Sequence, residues 1–107
     1  MNTQEILVRF DETVAKVRAT LAKKNHDYTQ GAIDDALNNF KISGIVLHVD
    51  PAKGLLVRVL DKIARIVTFI ECGDLKVDNE SAIDSIHDII GYMALLEALI
   101  AETRPGT

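Results

Sequence analysis

A chain of 107 residues, 48% of them hydrophobic, is long enough to bury one core and too short for two. Its formal net charge of −4 argues against a protein that grips a nucleic-acid backbone, which carries a clustered basic face. The nearest approach, Lys16, Arg18, Lys23 and Lys24, reads as the solvated side of a helix.

Cys72 is the only cysteine, so no intramolecular disulfide forms and the chain suits a reducing compartment; the thiol is expected to be packed. The opening MNTQEILVRF lacks the basic start, apolar block and small-residue cleavage site of a secretory signal. The apolar stretches are short and carry charges such as Glu97, which argues against a membrane span. These features predict a cytoplasmic protein with neither a membrane partner nor stable nucleic-acid binding.

With no internal repeat, low-complexity tract or Pro/Gly/Ser linker, residues 1–107 read as one domain whose tail, 103–107, frays. Ile6, Leu7, Phe10, Val14, Val17 and Leu21 recur at helical spacing, predicting an amphipathic first helix from about 3 to 24, with Asn2 and Glu5 placed to cap it. KNHDYTQGA is a loop by composition, and IDDALNNFKIS predicts a short second helix stopped at Gly44. The branched residues at 45–49 suit a short strand, for which no pairing partner is evident. Asp50-Pro51 signals the start of a third helix, from about 51 to 71 and ending near Gly73. Asp78 or Asn79 starts a fourth, from about 80 to 102. Short connections between long helices predict an all-α antiparallel bundle of about four helices.

The third helix is apolar around most of its circumference, yet Arg58, Asp61, Lys62 and Arg65 fall at i, i+3, i+4 and i+7, on one narrow stripe. The fourth repeats the device with Glu80, Asp84, His87 and Asp88. Each like-charge pair at i,i+4 costs about 0.2–0.5 kcal/mol, partly offset near the positive helix N-terminus, so positive charge should lie opposite the row. Two arrangements satisfy this. The cations pair with the acids as an interhelical ladder, or the acids hold Mg²⁺ while the cations receive nucleotide phosphates. Helices this apolar in so short a chain also point to a homo-oligomer, a dimer or tetramer.

Other chemistry is poorly supported. His26, His48 and His87 form no zinc-ligand spacing with Cys72, Ser81 and Ser85 lack a nucleophile elbow, and no Gly-rich phosphate loop is present. His87 beside Asp88 has the makings of a general base but more often only hydrogen-bonds within its row, and Tyr28 and Phe40 are candidates to stack on a base.

From Lys24 to Leu96 the order of elements is KxxDY (Lys24, Asp27, Tyr28), NF (Asn39, Phe40), RxxDKxxR (Arg58, Asp61, Lys62, Arg65) and ESxxDxxxDxxGY (Glu80, Ser81, Asp84, Asp88, Gly91, Tyr92). This series resembles the phage-associated nucleotide modification associated domain family, itself similar to the all-α nucleoside triphosphate pyrophosphohydrolases of the MazG and dimeric dUTPase type. The resemblance implies a MazG-like bundle, located in the host cytoplasm if phage-encoded, that cleaves a (d)NTP between the α and β phosphates with Mg²⁺ or Mn²⁺. It implies metal ligation by Glu80, Asp84 and Asp88, and catalytic roles for Asp61, Asp84 and Asp88. Lys24, Asp27, Tyr28, Asn39, Phe40, Arg58, Lys62 and Arg65 would bind the substrate.

The pattern departs from those enzymes in one respect. They carry a Glu-Glu-x-x-Glu cluster on the preceding helix, where this chain offers only Asp61, and the acids of the last helix stand four apart instead of three. A protein that keeps the cationic groove without the metal would bind and sequester a nucleotide or cyclic nucleotide without hydrolysing it. A third alternative is a structural oligomer whose charges serve assembly.

Overall fold

The computed structural model describes residues 1–29, 35–73 and 81–107, with the side chains of 25–29 outside that description. Among the described residues there are four helices and no strand: α1 (Thr3–Thr29), α2 (Asn38–Leu47), α3 (Pro51–Cys72) and α4 (Ala82–Thr103).

Local chemistry accounts for most of the boundaries. Asn2 Oδ1 accepts the Glu5 N–H at 2.8 Å and Glu5 Oε2 accepts the Asn2 N–H at 3.2 Å, the reciprocal cap predicted for α1. The helix continues to Thr29 instead of stopping near 24, because KNHDYT contains no glycine or proline to interrupt it. At α3, Asp50 Oδ1 accepts the Ala52 N–H at 2.9 Å with Pro51 in the first turn, and Gly73 closes the other end at φ 73°. The start of α4 differs from expectation. Ser81, not Asp78 or Asn79, is the N-cap, since its hydroxyl accepts the Asp84 N–H at 3.0 Å while Asp84 Oδ2 accepts the Ser81 N–H at 3.2 Å.

The second helix is displaced along the chain. It begins at Asn38, after Asp35 Oδ1 has accepted the Leu37 N–H at 3.0 Å, and runs through Gly44 to Leu47. Residues 45–47 are therefore its last turn and not a strand; a lone strand would leave backbone groups without a ladder partner, whereas the helix satisfies them internally. The chain turns at His48, in the left-handed region at φ 55°, and the Val49 N–H returns to the Gly44 carbonyl at 3.0 Å. Gly44 is needed for this return path. A Cβ there would lie 2.7 Å from the Val49 carbonyl oxygen and 2.9 Å from Pro51 Cγ.

α3 and α4 pack antiparallel. Asp50, ahead of α3, meets Arg104, just past α4, at 2.8 Å; further along, Lys62 meets Asp88 at 3.0 Å. Between these ties Leu55 and Leu99 are fully buried, and α2 lays Leu37 and Phe40 onto the same cluster beside Leu96. Truncating a leucine so placed costs ~2–5 kcal/mol, which makes this cluster the main apolar anchor of the three helices. Ser85, also fully buried, lies on α4 about one turn before Asp88. Only the C-terminal half of α1 reaches α4, where Val17 is buried; Ile6, Leu7 and Phe10 stay more than half exposed. The radius of gyration, 15.7 Å, accordingly exceeds the ~13 Å of a compact chain of this length. Cys72, expected to be packed, is exposed at the end of α3. Among the described residues no helix is long and apolar enough to cross a membrane.

Lys41 of α2 bonds both Asp35, at 2.9 Å, and Glu102 near the end of α4. The Lys41 ammonium and the Leu37 N–H hold the Asp35 carboxyl below its ordinary value, and the Ala52 N–H followed by Arg104 does the same for Asp50. Both carboxyls have folded-state values below their unfolded ones. Their contribution is present above the ordinary carboxylate value of 3.8 and is lost as pH falls through the lowered values.

Two outcomes are expected. Gly44→Ala should destabilise the protein by about 1–3 kcal/mol, read as a lower urea midpoint, because the Cβ meets backbone that cannot move without opening the α2–α3 corner. The double variant Asp35→Asn, Asp50→Asn should lose less stability than the wild type as pH falls below about 4, since Asn keeps the backbone caps but has no charge to lose.

Candidate functional site

The polar stripe of α3 faces the side of the α3/α4 pair on which α1 and α2 lie. Its members are used in different ways. Arg58 stands over the Phe40 ring of α2, with its guanidinium carbon 4.8 Å from the centroid, a cation–π contact. Lys62 reaches across to Asp88 at 3.0 Å, the two side chains only 16% and 26% exposed. Arg65 meets Asp61 at 3.4 Å on its own helix. The predicted ladder is thus a cross-helix rung at Lys62–Asp88, flanked by an aromatic contact and an intrahelical pair.

The acidic row divides similarly. Asp84 is exposed, and one of its carboxylate oxygens is engaged by the backbone at the start of α4. That placement is favourable for a negative charge, since the N-terminal amides of a helix carry partial positive charge. Asp88, one turn further, is half-buried. Asp61 is exposed and turned to Arg65. Glu80 lies outside the described residues, as do the side chains of Asp27 and Tyr28.

Where α1 crosses α4 the helices enclose a cavity of about 370 Å³. Gly91 faces α1 at the crossing; a Cβ there would stand 3.6 Å from Leu21 and 3.7 Å from Val17, in ordinary van der Waals contact. Phe40 from α2 and Tyr92 and Leu95 from α4 supply apolar wall, and Arg18 and Lys24 from α1, with His87 and Asp88 from α4, supply the polar groups. The Lys24 ammonium lies 5.8 Å from the Tyr92 ring centroid. Small-molecule sites have this character, a mostly apolar hollow with a few convergent polar groups. Its two α1 cations suit an anionic end on the ligand, and its aromatic walls suit a flat body.

Of the predicted site residues, Lys24, Phe40 and Asp88 line the cavity, while Lys62 and Arg58 support it from behind through Asp88 and Phe40. Asn39 is half-buried on α2 beside Phe40 and is not among the lining residues. Asp61, Asp84 and Arg65 are likewise not part of the wall. Arg18, Gly91 and Tyr92 are lining residues that were not singled out as site residues. Val17, Leu21 and Lys24 recur at i, i+4 and i+7, which places them on one face of α1, but only the crossing at Gly91 reveals what that face meets.

The implied metal finds little in this donor set. Among the described residues no three His, Cys, Asp or Glu side chains converge, Asp84 is committed to the helix cap and Asp88 to Lys62. Mg²⁺ is held by carboxylates together with phosphate oxygens and water, so the described carboxylates alone do not build its site.

Asp88→Asn should destabilise the protein by about 1–2 kcal/mol, since the mostly buried Lys62 ammonium loses the charge of the carboxylate 3.0 Å away. The double variant Asp88→Asn, Lys62→Met should recover most of that loss, and a double-mutant cycle on urea midpoints measures the coupling.

Set against known protein families, curated proteins and solved structures, the chain matches none of them.

Proposed function

We propose that this protein binds a nucleotide in the cavity between α1, α2 and α4, with the base against Tyr92 and Phe40 and the phosphates directed to Lys24 and Arg18. The observation that carries this reading is one hollow of about 370 Å³ combining two aromatic side chains with two cations from a neighbouring helix. Base–aromatic stacking contributes ~1–3 kcal/mol per base and tolerates base identity, while the cations add a salt-dependent attraction for phosphate. The resemblance of the KxxDY, NF, RxxDKxxR and ESxxDxxxDxxGY series to the nucleotide modification associated domain family supports the same ligand class.

Sequestration of the nucleotide, cyclic or linear, is the form of this reading that the geometry favours. The carboxylate that lines the cavity, Asp88, already has Lys62 as its counterion, and Asp84 serves the α4 cap. The second reading, a MazG-like pyrophosphohydrolase dependent on Mg²⁺ or Mn²⁺, draws on Asp84 and Asp88 standing one turn apart with Asp88 in the wall. It requires Asp88 to exchange its lysine partner for a divalent cation.

Calorimetric titration with a panel of ribo-, deoxyribo- and cyclic nucleotides should give binding that weakens with added salt. Arg18→Glu and Lys24→Glu should each weaken it at least about tenfold while leaving the melting temperature within a few degrees. Pyrophosphate release with Mg²⁺ or Mn²⁺, abolished by Asp88→Asn, would transfer the assignment to the hydrolase. Absence of binding across the whole panel would remove both.

A further inference from the structure

On α3, Leu56, Leu60, Ile63, Val67 and Ile70 are spaced alternately four and three apart, and each is 42–73% exposed. On α4, Ile83, Ile86, Ile90 and Met93 follow the same alternation at 38–51% exposure. That spacing is the heptad seam of a helix that packs lengthwise on another helix. Among the described residues, each seam stays about half exposed. At about 100° per residue, the α3 seam lies roughly a quarter turn from Leu55 and Val59, which are buried. The α4 seam lies roughly a third of a turn from Ser85, Leu96 and Leu99. Because the two helices run antiparallel, these rotations bring both seams to one side of the pair, opposite the side that α1 and α2 cover.

We infer that this α3/α4 face is the contact surface for a second copy of the same chain, which packs its own pair of seams against it. Nine aliphatic side chains averaging about half exposure present roughly 800 Å² per copy, the size of one side of a standard stable interface. No charged residue interrupts either seam. At the end they share, Lys53 continues the α3 row and Glu97 the α4 row, both exposed and opposite in sign, so that end of the rim is neutral. A helix face that rests on a lipid surface is instead bordered by lysines and arginines. The pattern is also self-complementary, as an isologous contact requires, because both rows carry the same four-three spacing. This assignment does not depend on the nucleotide reading, since the cavity opens on the other side of α4.

The test is the mass of the full chain in solution by size-exclusion chromatography with light scattering. The wild type should run at twice its 11.8 kDa mass, or a higher multiple, at about 100 µM. Leu60→Lys should bring the mass down to one chain with an unchanged far-UV circular dichroism spectrum, because Leu60 is 62% exposed in the single chain. Ile70→Lys, at the 73% exposed end of the seam, should do the same and replaces Leu60→Lys if that variant does not fold. Phe10→Lys alters a separate exposed apolar row, on α1, and should leave the dimer intact. A wild type that is monomeric at this concentration overturns the inference, as does one that is monomeric and sediments with phosphatidylcholine vesicles. Assembly that survives Leu60→Lys and Ile70→Lys but is lost with Phe10→Lys assigns the contact to α1 and overturns it equally.

Discussion

The antiparallel contact between α3 and α4 is the constraint on which the other features depend. Leu55 and Leu99 fill its centre, Asp50 and Arg104 tie one end, and Lys62 and Asp88 cross it further along. These ties specify register more than they add stability. A slide of one helical turn would part the lysine from the carboxylate and leave mostly buried charges facing apolar side chains. The leucine cluster contributes the larger share of the free energy, and the charges determine which of several similar packings is taken.

Once the pair is in register, it has two unlike sides. One carries the polar stripe of α3 and the Asp88, Gly91 and Leu95 row of α4, and on that side α2 and the C-terminal half of α1 settle. Gly91 faces α1 at the crossing, and Phe40, held beneath Arg58, forms part of the wall of the hollow there. The other side carries the two aliphatic seams. Among the described residues, eight hydrophobic residues are buried whereas twenty-two large ones are exposed, an imbalance that a folded single chain does not relieve. The proposed nucleotide site and the proposed self-association surface thus lie on opposite faces of one helical pair, so either can be altered without rebuilding the other.

The acids on α4 illustrate how one residue type takes different roles according to position. Asp84 sits where the helix amides favour a negative charge and closes the cap with Ser81. Asp88 has moved past the reach of the helix terminus and relies on Lys62 instead. A row of like charges is tolerated because each described member is compensated locally, by backbone in one case and by a lysine in the other. The proposed nucleotide site uses the cations of α1 and the aromatic walls, and leaves these acids in the supporting structure.

Sequence alone determined the all-helical character, the caps at Asn2 and Asp50, the end of α3 at Gly73 and the segregation of charge onto narrow stripes. These are local effects, set by side chains within a turn or two of one another. The bounds of α2 and the start of α4 were misplaced for an instructive reason. Gly44 reads as a helix stop, but its lack of a side chain is used against Val49 and Pro51 beyond the helix, and Asp84 reads as a ligand when it is also half of a cap. Only the tertiary structure decided which stripes meet. Periodicity fixes the direction of a side chain around its own axis, but it says nothing of which neighbour lies there. The pairing of Lys62 with Asp88, the crossing of α1 at Gly91 and the bare side of the α3/α4 pair all follow from how separate helices are set against one another.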